Sequence, residues 1–156
     1  MTLIRSEIET NYLASEDLPW VPFTPLSDEV HLKYYKVDPV RAEILVSMRI
    51  PAGLELPPHY HTGVVIAHTV QGAWRYKEHD WVSRAGDTVY ETAGSAHSPE
   101  SLEDTEVFFY LVGELLFFGE DKQLLWQENW KTGIARYATY CAENGVEERD
   151  ITSFMA

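Results

Sequence analysis

The feature that most constrains this chain is a series of short apolar and β-branched segments, each closed by turn residues. Arg41 to Ile50 stops at Pro51-Ala52-Gly53, and Val64 to Val70 is closed by Gln71-Gly72. Runs of this length bounded by Gly and Pro are typical of β-strands. Many short strands at close spacing predict an all-β sandwich or barrel.

Three further segments continue the pattern, and we predict strands over Ala73 to Trp81, Asp87 to Thr92 and Glu106 to Val112. In the first of these, alternation places Trp74, Tyr76 and Glu78 on one face and basic residues on the other. If the face with the two rings points inward, Glu78 is an acid within the barrel.

The two ends of the chain differ from its middle. From Trp130 to Ala142 the apolar residues follow helical spacing, and Asn144-Gly145 supplies a stop, which predicts a helix packed on the outside of the barrel. Its apolar stripe comprises Ile134, Tyr137, Ala138 and Cys141. From Tyr12 to Pro25, mixed proline, aromatic and acidic residues indicate an extended arm. We therefore predict one domain over 1–156, with an arm over about 1–30, a barrel over about 31–120 and a helix over about 130–142.

Composition excludes several functions. The net charge is −13, whereas nucleic acid and anionic membranes require a basic surface. No apolar run approaches the roughly 20 residues of a membrane helix, and the first residues lack the pattern of a secretion signal, so we expect a cytoplasmic protein. Cys141 is the single cysteine and is expected to be a buried apolar side chain. Any metal must therefore be held by His, Asp or Glu.

Three of the six histidines stand out by their placement. His59 and His61 are two residues apart, and this spacing on a strand puts both imidazoles on one face, as a metal requires. His97 follows a predicted strand and a glycine turn, and an antiparallel barrel could bring it beside the pair. The alternative is a loop with exposed histidines, because Pro57-Pro58 and Gly63 flank the pair. His68 is expected to be a strand histidine without a ligand role.

Two spaced motifs fix the third histidine relative to the first two. Gly53, five residues, His59-Tyr60-His61 and a later Gly72 follow one pattern. Gly86, five residues, Thr92-Ala93-Gly94, two residues and His97 follow a second, with Ser101 at its last place. These patterns resemble the two motifs of the cupin superfamily, and they occur in the cupin order. The resemblance covers about Arg41 to Gly119 and implies a single jelly-roll-like β-barrel.

The departures from the motifs are informative. The motif glutamate would fall at Val65 or Ile66, both apolar, while Thr92 replaces a proline and Ser101 an asparagine. The resemblance therefore implies a metal held by the three histidines His59, His61 and His97 without the usual carboxylate.

Within the superfamily the chain resembles the small cupin dioxygenases that cleave carbon–carbon bonds of diketones and hydroxyketones. Acetylacetone dioxygenase and 2,4'-dihydroxyacetophenone dioxygenase are of this type, and the span LPPHYHTG is similar to the second. The resemblance implies an Fe(II) enzyme acting on a ketone and dioxygen, with Zn, Ni or Mn as alternatives in purified protein. Three neutral imidazoles leave the charge of the ion uncompensated, which favours a substrate that chelates as an anion.

Two acids and four rings are candidates for the rest of the site. Glu91 lies six residues before His97, where acetylacetone dioxygenase also has a glutamate, and could orient an imidazole or hold substrate. Glu78 could act as a fourth ligand or a base. The aromatic residues expected to wall a substrate pocket are Trp74, Tyr76, Phe108 and Tyr110. Each of these six residues could instead be a solvated strand position or ordinary core.

Two other functions stay open. One is a non-enzymatic zinc-binding cupin that acts as a sensor or regulatory module, and the other is a cupin isomerase or hydrolase. The chain has no appended helical partner for a regulatory role, so the oxygenase is preferred. A homodimer or homotetramer is expected, with the aromatic segment from Trp20 to Phe23 as one route to association.

Overall fold

The computed structural model of the protein describes residues 12–152. Within that range a one-turn 3₁₀ helix (Ser15–Asp17) precedes the strands, and one helix, α1 (Trp130–Asn144), follows them. The strands are β1 (Val21–Pro22), β2 (His31–Asp38), β3 (Glu43–Ile50), β4 (His59–His61), β5 (Val65–Gln71), β6 (Ala73–Tyr76), β7 (Ser83–Arg84), β8 (Thr88–Glu91), β9 (Ala96–His97), β10 (Pro99–Ser101), β11 (Thr105–Val112), β12 (Leu115–Phe118) and β13 (Leu124–Glu128).

The strands form three antiparallel sheets that enclose one interior. The largest has the order β1-β2-β3-β11-β5-β8, the second is β13-β12-β4-β9, and the third is β10-β6-β7. Several neighbouring strands, such as β3 and β11 or β4 and β12, are distant in sequence, as in a jelly roll rather than a meander. The predicted all-β class with a C-terminal helix is confirmed.

Alternation along the long strands builds the core. On β3 and β11, Ile44, Val46, Val107 and Leu111 are buried, and the alternate residues Leu45, Phe108 and Tyr110 face the opposite side of the sheet. Burying each such aliphatic side chain contributes about 1.5–3 kcal/mol. The core therefore lies between the inner faces of the six-stranded and four-stranded sheets.

Most predicted strands are confirmed to within a residue or two, and one is too long. β6 ends at Tyr76, and the chain from Lys77 to Asp80 is a turn, so the predicted strand from Ala73 to Trp81 is wrong in its second half.

The Gly72 turn before β6 is forced by close packing. Gly72 has φ +81°, and a Cβ there would collide with the backbone at Asp104.

The predicted helix is confirmed and runs two residues further, to Asn144. The side chain of Asn129 caps its N-terminus by accepting hydrogen bonds from the backbone N–H groups of Lys131 and Thr132. The backbone N–H of Asn129 in turn donates to the hydroxyl of Thr132, which completes a capping box. Gly145 ends it in the left-handed region at φ 64°. Cys141 is buried, as expected.

A buried ion pair fastens the helix to the barrel. Arg136 of α1 donates to both carboxylate oxygens of Glu128 on β13, at 2.6 and 2.7 Å. The same guanidinium donates to the hydroxyl of Tyr34 and the carbonyl of Thr24, while Trp126 donates to Glu128. All side-chain nitrogens of Arg136 are thereby satisfied in a dry environment.

The N-terminal arm is described only in part, since residues 1–11 lie outside the described range. From Tyr12 onward it contains the 3₁₀ turn, the short strand β1, which pairs with β2, and a second turn over 24–26. Arg49 stacks on the Trp20 ring at 3.9 Å. No helix in residues 12–152 is long and apolar enough to span a membrane.

We predict that Arg136→Met lowers the free energy of unfolding by about 3 kcal/mol, because it leaves the Glu128 carboxylate buried without its counter-ion. Arg84→Met is the matched control, since Arg84 pairs with Glu103 on the surface and such pairs contribute less than about 1 kcal/mol. Denaturant unfolding measures both values, and equal losses would contradict the role given to Arg136.

Candidate metal centre

The pair His59 and His61 occupies a three-residue strand with one buried face. Both imidazoles are buried, whereas Tyr60 between them is 38% exposed. The ring centroids of His59 and His61 are 4.8 Å apart. The alternative of a loop with exposed histidines is therefore wrong.

Strand pairing brings His97 to the same place. β4 and β9 are antiparallel neighbours, with His59 directly opposite His97 in the register. The centroids of His61 and His97 are 5.3 Å apart. Directly opposed residues share a face of the sheet, so all three rings converge on the interior.

Glu91 joins the histidines from a neighbouring sheet. Its Oε2 lies 3.2 Å from Nε2 of His61, and only 2% of the residue is exposed. In the β5–β8 register Glu91 is the direct partner of Val65, one of the two positions where the cupin motif places its glutamate. The carboxylate that the sequence motif lacks is thus supplied by the adjacent strand at nearly the same point in space.

The resulting group could hold a metal ion. One ligand atom from each of His61, Glu91 and His97 lies within 4.8 Å of the others. Both nitrogens of His61, Oε2 of Glu91 and Nδ1 of His97 are buried and make no hydrogen bond within the described residues. Unpaired buried polar atoms are costly, and an ion bound between them would remove that cost.

Hydrogen bonds determine where two of the imidazoles carry their protons. His59 donates from Nδ1 to the carbonyl of Pro57 at 3.3 Å, which leaves Nε2 with a lone pair. Ser95 donates to the carbonyl of Thr92, so its Oγ accepts from Nε2 of His97 at 2.9 Å, and Nδ1 of His97 keeps the lone pair. Metal-binding histidines are typically oriented in this way. His59 lies outside the group of three but has the tautomer that a ligand needs.

Burial sets the charge state of the site. It lowers the pKa of His59 to about 4 and that of His61 to about 3. The nearby His59 and His97 also lower the pKa of His61. Burial also lowers the pKa of His97, with Glu78 opposing it. Burial raises the pKa of Glu91 to about 7, and the hydrogen bond from Tyr76 opposes this. The three imidazoles are therefore neutral at neutral pH, as ligands must be.

Tyr76 connects two members of the group, a role that sequence reasoning missed. Its hydroxyl donates to Oε1 of Glu91 at 2.6 Å, and its ring stacks on His97 at 4.1 Å with an interplanar angle of 13°. Trp74 and Trp81 contact the Tyr76 ring edge-to-face. The inward position of Tyr76 was predictable from alternation, but its partner on β8 was not.

Glu78 does not lie within the barrel, and that expectation is wrong. It is an exposed residue of the turn after β6, where its carboxylate accepts a hydrogen bond from the backbone N–H of Ser98. Burial alone would raise its pKa, but the bonds to Ser98 outweigh this and lower it. It therefore lies beside His97 on the solvent side. His79 in the same turn stacks on Trp81, and His68 is exposed and bonded to Thr88.

A mainly apolar cavity of about 80 Å³ adjoins the site. His59, His61 and Glu91 form part of its wall, together with Trp74 and Tyr76 as predicted from the sequence. A single water needs about 10–15 Å³ of such space, so the cavity accommodates a larger group. Further lining residues that the sequence gave no reason to choose are Phe23, Tyr34, Phe117 and Glu128.

Phe108 and Tyr110 are on the wrong face of β11 for the predicted pocket wall. The cavity is lined by their neighbours Val107, Phe109 and Leu111. Phe108 instead contacts Tyr35, and Tyr110 donates to Glu43, both on the outer side of the sheet. Because both faces of this strand carry apolar side chains, the sequence does not reveal which one is inside.

Comparisons with known proteins agree on the fold. A crystal structure of an RmlC-like cupin protein from Ralstonia eutropha JMP134 superposes with a TM-score of 0.91 and 48% identity over 94% of this chain and 96% of that one. An acetylacetone dioxygenase from Acinetobacter johnsonii superposes with a TM-score of 0.76 and 15% identity over 89% of this chain and 97% of that one. No curated protein matches the chain.

A regulatory protein is also similar in fold. The anti-sigma factor ChrR of Rhodobacter sphaeroides, in its complex with SigE, superposes with a TM-score of 0.50 and 23% identity over 62% of this chain and 50% of that one. The family model of the ChrR cupin-like domain matches residues 9–116, more than half of the sequence. With the two cupin motifs and the enclosed histidines, this shows that the chain belongs to the ChrR cupin-like domain family of the cupins.

Proposed function

We propose that the protein is a metal-dependent dioxygenase that cleaves a carbon–carbon bond of a hydroxyketone or β-diketone, such as 2,4'-dihydroxyacetophenone. The observation that carries the proposal is the convergence of neutral, buried imidazoles with a Glu91 oxygen that makes no hydrogen bond, next to an apolar cavity. The fold likeness to an acetylacetone dioxygenase supports the reaction class.

In this proposal His59, His61 and His97 hold the ion, and Glu91 supplies an oxygen donor beside them. The donor set of imidazoles and a carboxylate suits Fe(II), Zn(II) and other divalent transition ions. Fe(II) is preferred, since when bound it would supply the redox chemistry with dioxygen that zinc lacks.

The residues of the chain provide the rest of the chemistry. The apolar walls exclude water, which strengthens every electrostatic interaction inside the site. Trp74 and Tyr76 offer flat surfaces for an aryl ketone. Tyr76 holds Glu91 by a short hydrogen bond and His97 by stacking, so it keeps both in place as the substrate exchanges with water.

A second candidate, a zinc-binding sensor module, is favoured by one observation. The family model that matches the chain is named for ChrR, an anti-sigma protein, and the matched region includes His59, His61 and His97. A sensor would bind zinc without consuming dioxygen, so oxygen uptake distinguishes the two functions.

Removal of a proposed ligand tests the metal site itself. We expect wild-type protein to bind one equivalent of Co(II), with a visible absorption band, and His61→Ala and His97→Ala to bind at least about 100-fold more weakly. Glu91→Gln should weaken binding by about 10–100-fold, since it keeps the size but not the charge of the carboxylate. His68→Ala is the matched control, because His68 is exposed on β5. Unchanged binding by His61→Ala would disprove this site.

The reaction is tested by oxygen consumption. Protein reconstituted with Fe(II) is expected to consume dioxygen in step with 2,4'-dihydroxyacetophenone or acetylacetone, and His97→Ala should abolish the uptake. Metal binding without consumption of either ketone would argue against the dioxygenase and in favour of the zinc module.

The hydrogen bond of Tyr76 to Glu91 can be removed without changing the packing of its ring. Tyr76→Phe keeps the ring on His97 but removes the hydrogen bond to Glu91, so we expect a loss of about 10–100-fold in kcat with Co(II) still bound. A shifted Co(II) absorption band should accompany the loss. Tyr137→Phe, a buried tyrosine outside the cavity, is the control. Equal activity of wild type and Tyr76→Phe would show that the bond has no catalytic importance.

A further inference from the structure

The cavity beside the candidate metal centre has a second group of polar side chains in its wall. Tyr34 and Glu128, here named the distal pair, line the cavity but take no part in the proposed metal centre. Both are buried, with exposed fractions of 2% and 6%. Apart from the distal pair and the group around the histidines, the lining is aliphatic or aromatic.

Two phenylalanine rings lie between the distal pair and the histidines. The Phe117 ring is 4.9 Å from His59 and 6.0 Å from Phe23, measured between ring centroids. The guanidinium of Arg136, which binds both members of the distal pair, lies 5.0 Å from the centroid of Phe23. The distal pair therefore belongs to the end of the cavity away from the histidines.

The hydrogen bonds of the distal pair leave one donor and one acceptor unused. Arg136 donates to the Tyr34 hydroxyl at 2.6 Å, and the O–H of Tyr34 has no acceptor within residues 12–152. Burial raises the pKa of Tyr34, although Arg136 opposes this, so the hydroxyl keeps its proton. Glu128 accepts two bonds from Arg136 and one from Trp126, which fills three of the roughly four acceptor sites of a carboxylate.

A single hydroxyl group fits between the two members of the pair. The Tyr34 oxygen and Oε1 of Glu128 each lie 2.6 Å from the same nitrogen, Nη1 of Arg136. The two N–H bonds of that planar nitrogen diverge, which sets the two oxygens about 4.5 Å apart. A ligand hydroxyl at ordinary distance from both can accept from Tyr34 and donate to Glu128. A carbonyl or ether oxygen can only accept, and a methyl group can do neither.

We propose that Tyr34 and Glu128 recognise a hydroxyl group at the end of the substrate remote from the metal. The inference rests on the proposed function and narrows its substrate class to hydroxyketones whose aromatic ring carries a second hydroxyl opposite the ketone. Phe23 and Phe117 supply ring faces and edges for that aromatic ring between the two ends. A small β-diketone such as acetylacetone has no such hydroxyl and leaves the distal pair unused.

The test compares two ketones that differ only at the far end of the ring. Both 2,4'-dihydroxyacetophenone and 2-hydroxy-4'-methylacetophenone offer the same hydroxyketone to the metal, but the methyl group forms no hydrogen bond. Calorimetric titration of the full chain in the presence of Zn(II) measures their affinities, because zinc is not redox-active and neither ketone is consumed. Wild type should bind the dihydroxy compound at least about 10-fold more tightly.

Tyr34→Phe keeps the ring but removes the donor. It should reduce the preference to about 3-fold or less, while the affinity for the methyl compound stays within about 2-fold of wild type. Tyr137→Phe is the matched control, since the Tyr137 ring packs on Tyr34 from outside the cavity lining. It should keep the full preference.

Three results would overturn the proposal. One is a wild type that binds the two ketones equally or binds neither. Another is a preference that survives Tyr34→Phe. The third is an equal loss of affinity for both ketones in Tyr34→Phe, because a purely structural role of the hydroxyl predicts that result.

The specificity proposal and the dioxygenase proposal fail separately. Selective binding of the dihydroxy compound without oxygen uptake by the Fe(II) protein would contradict the dioxygenase and leave the role of the distal pair in place. Oxygen uptake with equal kcat/KM for the two ketones would support the dioxygenase and overturn the role of the distal pair.

Discussion

The pairing of β4 with β9 is the interaction on which the candidate site depends. These strands have three and two residues, yet their register alone sets His59 opposite His97, residues far apart in sequence. β12 holds β4 from its other side, with Phe117 opposite His59. The long strands of the six-stranded sheet supply most of the buried area and so hold these short elements in place.

Burial of polar groups at the site lowers the stability of the metal-free protein and favours the binding of an ion. Neutral imidazoles and a carboxylate with a raised pKa lie where water does not reach them, and several of their polar atoms lack partners. Each such atom costs about 1–3 kcal/mol in the free protein. The cost is smaller in the state that binds an ion, so folding and metal affinity are coupled.

Sequence reasoning found the parts of the molecule that local patterns determine. The histidines, most strand positions and the helix with its Gly145 stop follow from spacing, alternation and capping. The failures involve contacts between distant strands. Glu91 could be suggested only by resemblance, because its position opposite Val65 exists only in the folded register. The sequence placed Phe108 inside the barrel because β11 is apolar on both faces. It placed Glu78 inside because the predicted strand continued past Tyr76, where β6 ends.

The alternation of His59, Tyr60 and His61 limits how the length of this region can vary. One inserted or deleted residue within β4 would put the two imidazoles on opposite faces, one of them toward solvent, because strand side chains change face with every residue. A substitution at Tyr60 leaves that geometry intact. Natural variation in length should therefore occur in the loops on either side of this strand, while the strand itself keeps its three residues.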